Sequence, residues 1–292
     1  MMYNRYVLIA LLAWLTGCNS RSDQADAYGN FETIEVIVSS ESQGRILRFD
    51  PVEGDRLKTG ETVAVIDSTD LHLKKKQLIT GRSSLQAQIK NLEAEVHVNQ
   101  VQLKNLEREK QRIDRLLEGG AATPKQRDEL VDRIELLKAK IEAVQTRKSS
   151  VHAEGRALDV QIEQIEEQIR KCHVKNPAEG IMLTKYREAG EIAAPGQPLY
   201  KMANMDRLIL RAYVSGDQLS GIETGQEVMV RYDIPGGLEG IGGTITWISP
   251  QAEFTPRVIQ TKEERVNLVY AIKVLVSNDG SLKIGMPGEV VF

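Results

Sequence analysis

Residues 85–144 read LQAQIKNLEAEVHVNQVQLKNLEREKQRIDRLLEGGAATPKQRDELVDRIELLKAKIEAV, the centre of a longer pattern. On its N-terminal side Leu71, Leu78, Leu85, Leu92, Asn99, Leu106 and Ile113 recur every seven residues, and Ile89, Val96, Leu103 and Leu117 fall four residues after members of that series. Gly119-Gly120 and Pro124 interrupt the pattern. It resumes with Leu130, Leu137, Val144, Val151, Leu158, Ile165 and Cys172, and with Ile134, Ile141, Ile162 and Ile169 in the alternate positions. Sustained alternation of three- and four-residue steps marks a coiled-coil seam rather than the broad apolar stripe of a globular helix. The spacing predicts an antiparallel helical hairpin over 69–173. Each arm has about 48 residues and is about 70 Å long at 1.5 Å per residue.

The seam carries exceptions. Lys75, Arg82, Lys110, Lys148 and Gly155 stand at seam positions, and Asn99 interrupts the leucine series. Polar seam residues fix register at a cost in stability. The competing reading of any long charged helix pair is a solvated spacer.

Outward from the hairpin, the flanks read as two copies of one short motif. GRILRFDPVEGDRLKTGETVAVID (44–67) aligns without a gap on GIMLTKYREAGEIAAPGQPLYKMA (180–203). Gly44, Gly54 and Gly60 match Gly180, Gly190 and Gly196; Ile46, Leu57 and Val63 match Met182, Ala193 and Leu199. Glycines at fixed offsets among alternating apolar residues mark turns between short strands. A repeat split by a rod predicts two halves of one β-sandwich (33–68 and 174–203), with both rod ends returned to one place.

At the N-terminus, Arg5 precedes ten apolar residues, Tyr6 to Leu15, then Thr16-Gly17-Cys18. The run is too short to span a bilayer but suits the apolar region of an export signal. Residues 1–17 are therefore expected to be a signal peptide and 18–32 a flexible polar tether. Past Asn204 the pattern changes again. LILRAYV (208–214), EVMVRYD (227–233), GGTITWIS (242–249), NLVYAIKVLV (267–276) and EVVF (289–292) read as strands, and DQLSGIETGQ (217–226) as a short helix. Together they predict a small β-barrel over 204–292.

The formal net charge is −3, or −4 without Arg5, which argues against nucleic acid or an anionic membrane surface as the main partner. No P-loop, HExxH, CxxC or nucleophile-elbow pattern is present, so no enzyme activity, metal or cofactor is expected. His72, His97, His152 and His173 each follow a seam residue by one position and read as solvated rod residues, with His72 and His173 together at the base. Cys172 reads as a small seam residue.

Two half-motifs like those of biotinyl/lipoyl domains, split by a helical hairpin, resemble the HlyD-type membrane fusion proteins. The segments LRAYV, SPQAEFTP, VNLVY and GMPG resemble its short YbhG-like branch, associated with ABC exporters. The implied fold is mixed α and β and elongated: a split lipoyl-like sandwich, an inserted coiled-coil hairpin and a β-barrel. Leu15-Thr16-Gly17-Cys18 resembles a lipobox, which implies lipidation at Cys18 and anchoring to the inner membrane of a Gram-negative bacterium. Arg112, Leu116, Thr123 and Asp128 match the family's tip motif, with Thr in place of its Ser, and the resemblance implies docking to a TolC-like outer-membrane channel. Thr123 also reads as an N-cap ahead of Pro124. The loop 250–265, with Phe254 and Arg257, is a candidate contact to the transporter or a neighbouring subunit, or a plain barrel connection. The implied function is that of a periplasmic adaptor in a tripartite pump, self-associating as a hexamer or a trimer of dimers. An ABC engine is favoured over a proton-driven RND pump because no fourth domain follows the barrel. The insertion replaces the turn that carries the modified Lys in lipoyl domains, so neither lipoate nor biotin is expected. The rival of another class is an envelope scaffold without transport.

Overall fold

The computed structural model describes residues 25–254 and 268–292. In chain order the first elements are β1 (Ala27–Glu32), β2 (Glu35–Ser39), β3 (Gly44–Phe49), β4 (Arg56–Leu57), β5 (Thr62–Ile66), α1 (Thr69–Glu118) and α2 (Pro124–Lys171). There follow β6 (His173–Lys175), β7 (Gly180–Lys185), β8 (Ile192–Ala193), β9 (Pro198–Ala203), β10 (Arg207–Ser215), a short 3₁₀ helix (Gln218–Gly221), β11 (Glu227–Ile234), β12 (Gly237–Ile248), β13 (Glu253–Phe254), β14 (Leu268–Ser277) and β15 (Pro287–Val291). These form two compact units: Ile37–Pro177 with Thr184–Lys201, and the described part of Met1–Val36 with Ala178–Leu183 and Met202–Phe292.

The repeat builds two four-stranded sheets, β6–β5–β3–β8 and β2–β9–β7–β4, each using strands from both sides of the hairpin. All six apolar residues paired by the alignment are buried: Ile46 with Met182, Leu57 with Ala193, Val63 with Leu199. The turns repeat in backbone geometry too. Gly54 and Gly190 have φ of 97° and 95°, and Gly60 and Gly196 have 78° and 81°, a left-handed region that favours glycine. Even the turn bonds recur. Lys58 N–H donates to Glu61 Oε2 at 2.9 Å, and Ala194 N–H donates to Gln197 Oε1 at 3.0 Å, at the same place in each copy. Tyr200 lies in this core and donates its hydroxyl to Asn176 Oδ1 at 2.8 Å. Burial pushes that hydroxyl's pKa far above its usual value.

The hairpin leaves and re-enters between β5 and β6, which pair with each other. Ile66 N–H donates to Cys172 O at 2.8 Å, tying the entrance to the exit. Asp67 caps the entrance by accepting the Thr69 N–H at 2.9 Å and its hydroxyl at 2.6 Å, and these bonds hold the carboxyl below its usual pKa. Cys172 is fully buried at the exit, as a seam residue should be.

In the other unit six strands close into a barrel of order β10–β1–β15–β11–β12–β14, with β14 returning to β10. Phe31, Leu208, Leu210, Val230, Ile245, Ile272, Val274 and Val290 fill its interior. One boundary read from the sequence is corrected here: residues 27–32 are a barrel strand, not tether. β1 pairs with both β10 and β15 and sends only Ala27, Gly29 and Phe31 inward. Gly29 is needed for that pairing, because a Cβ there would stand 1.9 Å from Arg211 O. Two inward side chains and a glycine give too weak an alternation to read as a strand. β12 also starts earlier than expected, at Gly237, because Pro235-Gly236 turns the chain directly from β11 into it.

Candidate functional site at the hairpin tip and faces

The polar seam residues explain how the two arms are held. Lys75 Nζ meets Glu166 at 2.8 Å, Arg82 Nε meets Asp159 at 2.7 Å, Lys148 Nζ meets Glu93 at 2.7 Å, and Arg127 Nε meets Asp114 at 3.2 Å. In every one of these cross-helix pairs the two residue numbers add to 241. The arms therefore keep one register from base to tip. A slip by one heptad would keep fewer rungs, only Arg82 with Glu166 at a sum of 248, and Lys75 with Asp159 and Arg127 with Glu107 at 234. The paired cations hold Glu93, Asp114 and Glu166 below the usual carboxylate range: Lys148 for Glu93, Lys110 and then Arg127 for Asp114, Lys75 for Glu166.

Between the rungs Leu85, Ile89, Leu92, Val96, Val144 and Val151 pack together. Asn99 sits beyond them, 2% exposed, and its Nδ2 finds no acceptor within the described residues. The sequence reading of Asn99 as a polar residue within the seam holds.

At the tip, Thr123 and Gln126 form a reciprocal cap. Thr123 Oγ1 accepts the Gln126 N–H at 3.4 Å, and Gln126 Oε1 accepts the Thr123 N–H at 2.8 Å, with Pro124 opening the helix. Gly120, at φ 73°, makes the turn. Arg112, Leu116, Thr123 and Asp128 are all exposed. Among the described residues Arg112 pairs with its helical neighbour Glu109 alone, and Leu116 is 41% exposed with none of them covering it.

The four tip residues do not share one surface. Residues that precede a seam position lie on one broad face of the hairpin, and residues that follow one lie on the other. Arg112 and Leu116 precede Ile113 and Leu117. Asp128 follows Arg127, beside the Asp114–Arg127 rung. The rungs Glu93, Asp114, Asp159 and Glu166 all follow seam residues, as do the four histidines. His72 Nδ1 lies 2.9 Å from Ser68 O and His173 Nδ1 lies 3.4 Å from Ile169 O, each within its own arm's backbone. The preceding face bears Gln88, Asn91, Glu95, Val98, Gln102, Asn105 and Glu109 on α1, and Arg133, Leu136, Lys140, Ala143, Arg147, Ser150, Glu154, Ala157, Gln161 and Gln164 on α2. Gln102, Asn105, Leu106, Arg133, Leu136, Leu137 and Lys140 line a groove of about 510 Å³ there.

On the barrel, Arg211 Nη2 reaches both carboxylate oxygens of Glu253 at 2.9 Å and ties down β13. Arg257, the Phe254 side chain, Cys18 and residues 1–24 as a whole lie outside the described residues. No described helix is long and apolar enough to cross a membrane.

No family model matches the chain. It is 26% identical, over 97% of its own length and 94% of the relative's, to a UPF0194 membrane protein of Citrobacter koseri. Its fold is similar to that of MacA from Actinobacillus actinomycetemcomitans, with a TM-score of 0.67 at 18% identity over 90% of this chain and 76% of that one. It is also similar to the periplasmic adaptor protein EmrA, with a TM-score of 0.54 at 17% identity over 91% and 97%. The chain shares the fold of these two proteins. The resemblance to the HlyD-type proteins is thereby borne out as a likeness of fold, with the sandwich, hairpin and barrel all present.

Proposed function

We propose that this chain is the periplasmic adaptor subunit of a tripartite efflux or secretion system, joining an inner-membrane transporter to a TolC-like outer-membrane channel. The observation that supports the reading is the hairpin tip, where Arg112 and Leu116 stand exposed on a register-fixed hairpin with no partner among the described residues beyond Glu109. Arg112 can donate to carbonyls or carboxylates of the channel's helical turns, and Leu116 supplies an apolar knob. Thr123 offers its hydroxyl while capping α2, and Asp128 adds a carboxylate on the opposite face. Acyl chains on Cys18 would hold the chain at the periplasmic side of the inner membrane, since each buried methylene contributes about 0.8 kcal/mol. An ABC exporter is the favoured engine, on the resemblance of the barrel segments to the YbhG-like branch. A proton-driven RND pump is the alternative. The segment bearing Phe254 and Arg257 is a candidate contact to the transporter or to a neighbouring copy. The mechanism is mechanical, with no catalytic group and no cofactor, and copies assemble around the conduit, six in the preferred reading.

The test is the double variant Arg112→Asp, Leu116→Asp, expressed in its native envelope and recovered after mild cross-linking. The outer-membrane channel should be lost from the recovered complex while the transporter stays, and the unfolding temperature should not change. Undiminished channel recovery would count against docking through these residues and in favour of a plain envelope spacer.

A further inference from the structure

Each long helix of the hairpin contains a single glycine, and the two lie at nearly the same height. In the register set by the ionic rungs, Gly81 of α1 stands level with Val160 and Gly155 of α2 stands level with Gln86. Glycine weakens a helix interior, and it is usually kept there for a close approach or an unusual backbone angle. Neither reason applies here. Neither residue has a positive φ. A Cβ at Gly155 would meet nothing within 4 Å, and one at Gly81 would meet only Leu158 Cδ1 at 3.6 Å, an ordinary contact. Alanine would fit at both places, so what glycine adds is backbone freedom. We propose that the hairpin is jointed at this level, its tip half bending against its base half about residues 81–86 and 155–160.

Local hydrogen bonding and packing point the same way. Gly81 lies in the run Thr80-Gly81-Arg82-Ser83-Ser84. Thr80 Oγ1 donates to Lys76 O and Ser83 Oγ donates to Ile79 O, each at 3.0 Å. Hydroxyls that bond back to the carbonyl four residues earlier bend helices, and Gly/Ser neighbours are places where helices kink. The seam also thins here. On α2 Val151 and Ile165 are buried, but Gly155, Leu158 and Ile162 between them are not, and on α1 no seam residue from Leu78 to Ile89 is buried. Each half keeps its own rung, Lys148 with Glu93 above and Lys75 with Glu166 below. Inside the joint, among the described residues, the pair Arg82 with Asp159 alone bridges the arms, and at 48% and 40% exposure it is too well hydrated to stiffen them. A stretch with few buried contacts deforms at least cost. Gly81 is about 18 Å along α1 from Thr69 and about 55 Å from Glu118, so a bend of about 15° would carry the tip sideways by about 14 Å. The inference goes beyond the adaptor reading and does not depend on it. A jointed rod seats its tip on a partner while its base stays fixed.

The experiment measures distances between two nitroxide labels by pulsed electron paramagnetic resonance on the full-length protein, with Cys172→Ser as background. That background without added cysteines sets the blank, and dilution with unlabelled protein restricts the reading to distances within one chain. One pair, Lys76→Cys with His97→Cys, spans the joint. The other, Lys90→Cys with Gln111→Cys, lies above it. All four positions are exposed and follow the same seam series, and both pairs are about 31 Å apart at 1.5 Å per residue. The distance distribution across the joint should be at least twofold broader than the one above it. Gly81→Ala with Gly155→Ala should narrow it to the width of the upper pair, whose own distribution should not change and so reports that the variant is folded. Equal widths in the unsubstituted helices, or a broad distribution that survives both alanines, would overturn the joint. Recovery of a transporter or a channel does not enter this readout, so the joint and the adaptor reading fail separately.

Discussion

Replacing Asn99 by leucine should make the protein more stable, not less. Asn99 is 2% exposed in the seam, and its Nδ2 has no acceptor within the described residues. An unsatisfied buried polar group costs about 1–3 kcal/mol, and the leucine repeat shows that the position suits an apolar side chain of similar length. A gain of about 2 kcal/mol is therefore expected, equivalent to about 4–8 °C in unfolding temperature for a chain of this size. The assay is thermal unfolding of the full chain in detergent, followed by helical circular dichroism. Asn99→Leu should also loosen register specificity, because the slipped alignments lose the polar group that penalises them. An unchanged or lower unfolding temperature would refute the reasoning and mean that the amide is satisfied, by water or by a neighbouring molecule.

Gly155 stands at a seam position inside α2, and a Cβ there would meet nothing within 4 Å, so Gly155→Ala should stabilise the hairpin by up to about 1 kcal/mol in the same assay. Removing the cap with Thr123→Ala should cost about 1 kcal/mol, and Thr123→Ser should retain most of it. The hairpin should weaken in acid. Glu93, Asp114 and Glu166 are held below their unfolded values of 4.5, 3.8 and 4.5, so their contribution is fully present above those values and is lost as pH falls through the depressed ones. Unfolding temperatures compared between pH 7 and pH 3 test this, and neutralising the acidic rungs with Glu93→Gln and Glu166→Gln should shrink the difference.

The hairpin and the split repeat were legible because each rests on strict spacing. Seven-residue apolar intervals leave few alternatives to a seam, and Gly54, Gly60, Gly190 and Gly196 recur where only a left-handed turn would place them. The ionic rungs were half legible. Lys75, Arg82 and Lys148 stood out as seam exceptions, but their partners follow only once the register is known. β1 was not legible, because Gly29 and Asn30 disfavour strands and the pairing with β10 is made possible by the missing Cβ. At the tip, the exposure of Arg112 and Leu116 agrees with the sequence expectation. Their separation from Asp128 by face depends on which side of the seam each residue falls, information the linear motif does not carry.

The most direct test of the adaptor reading is mild cross-linking of the tagged protein in native membranes, followed by mass spectrometry of everything retained. The expected result is an ABC ATPase with its permease together with an outer-membrane channel. An RND pump with the channel would keep the mechanism and change its engine. Recovery of neither transporter nor channel, under conditions that retain other envelope complexes, would contradict the adaptor reading and leave a scaffold.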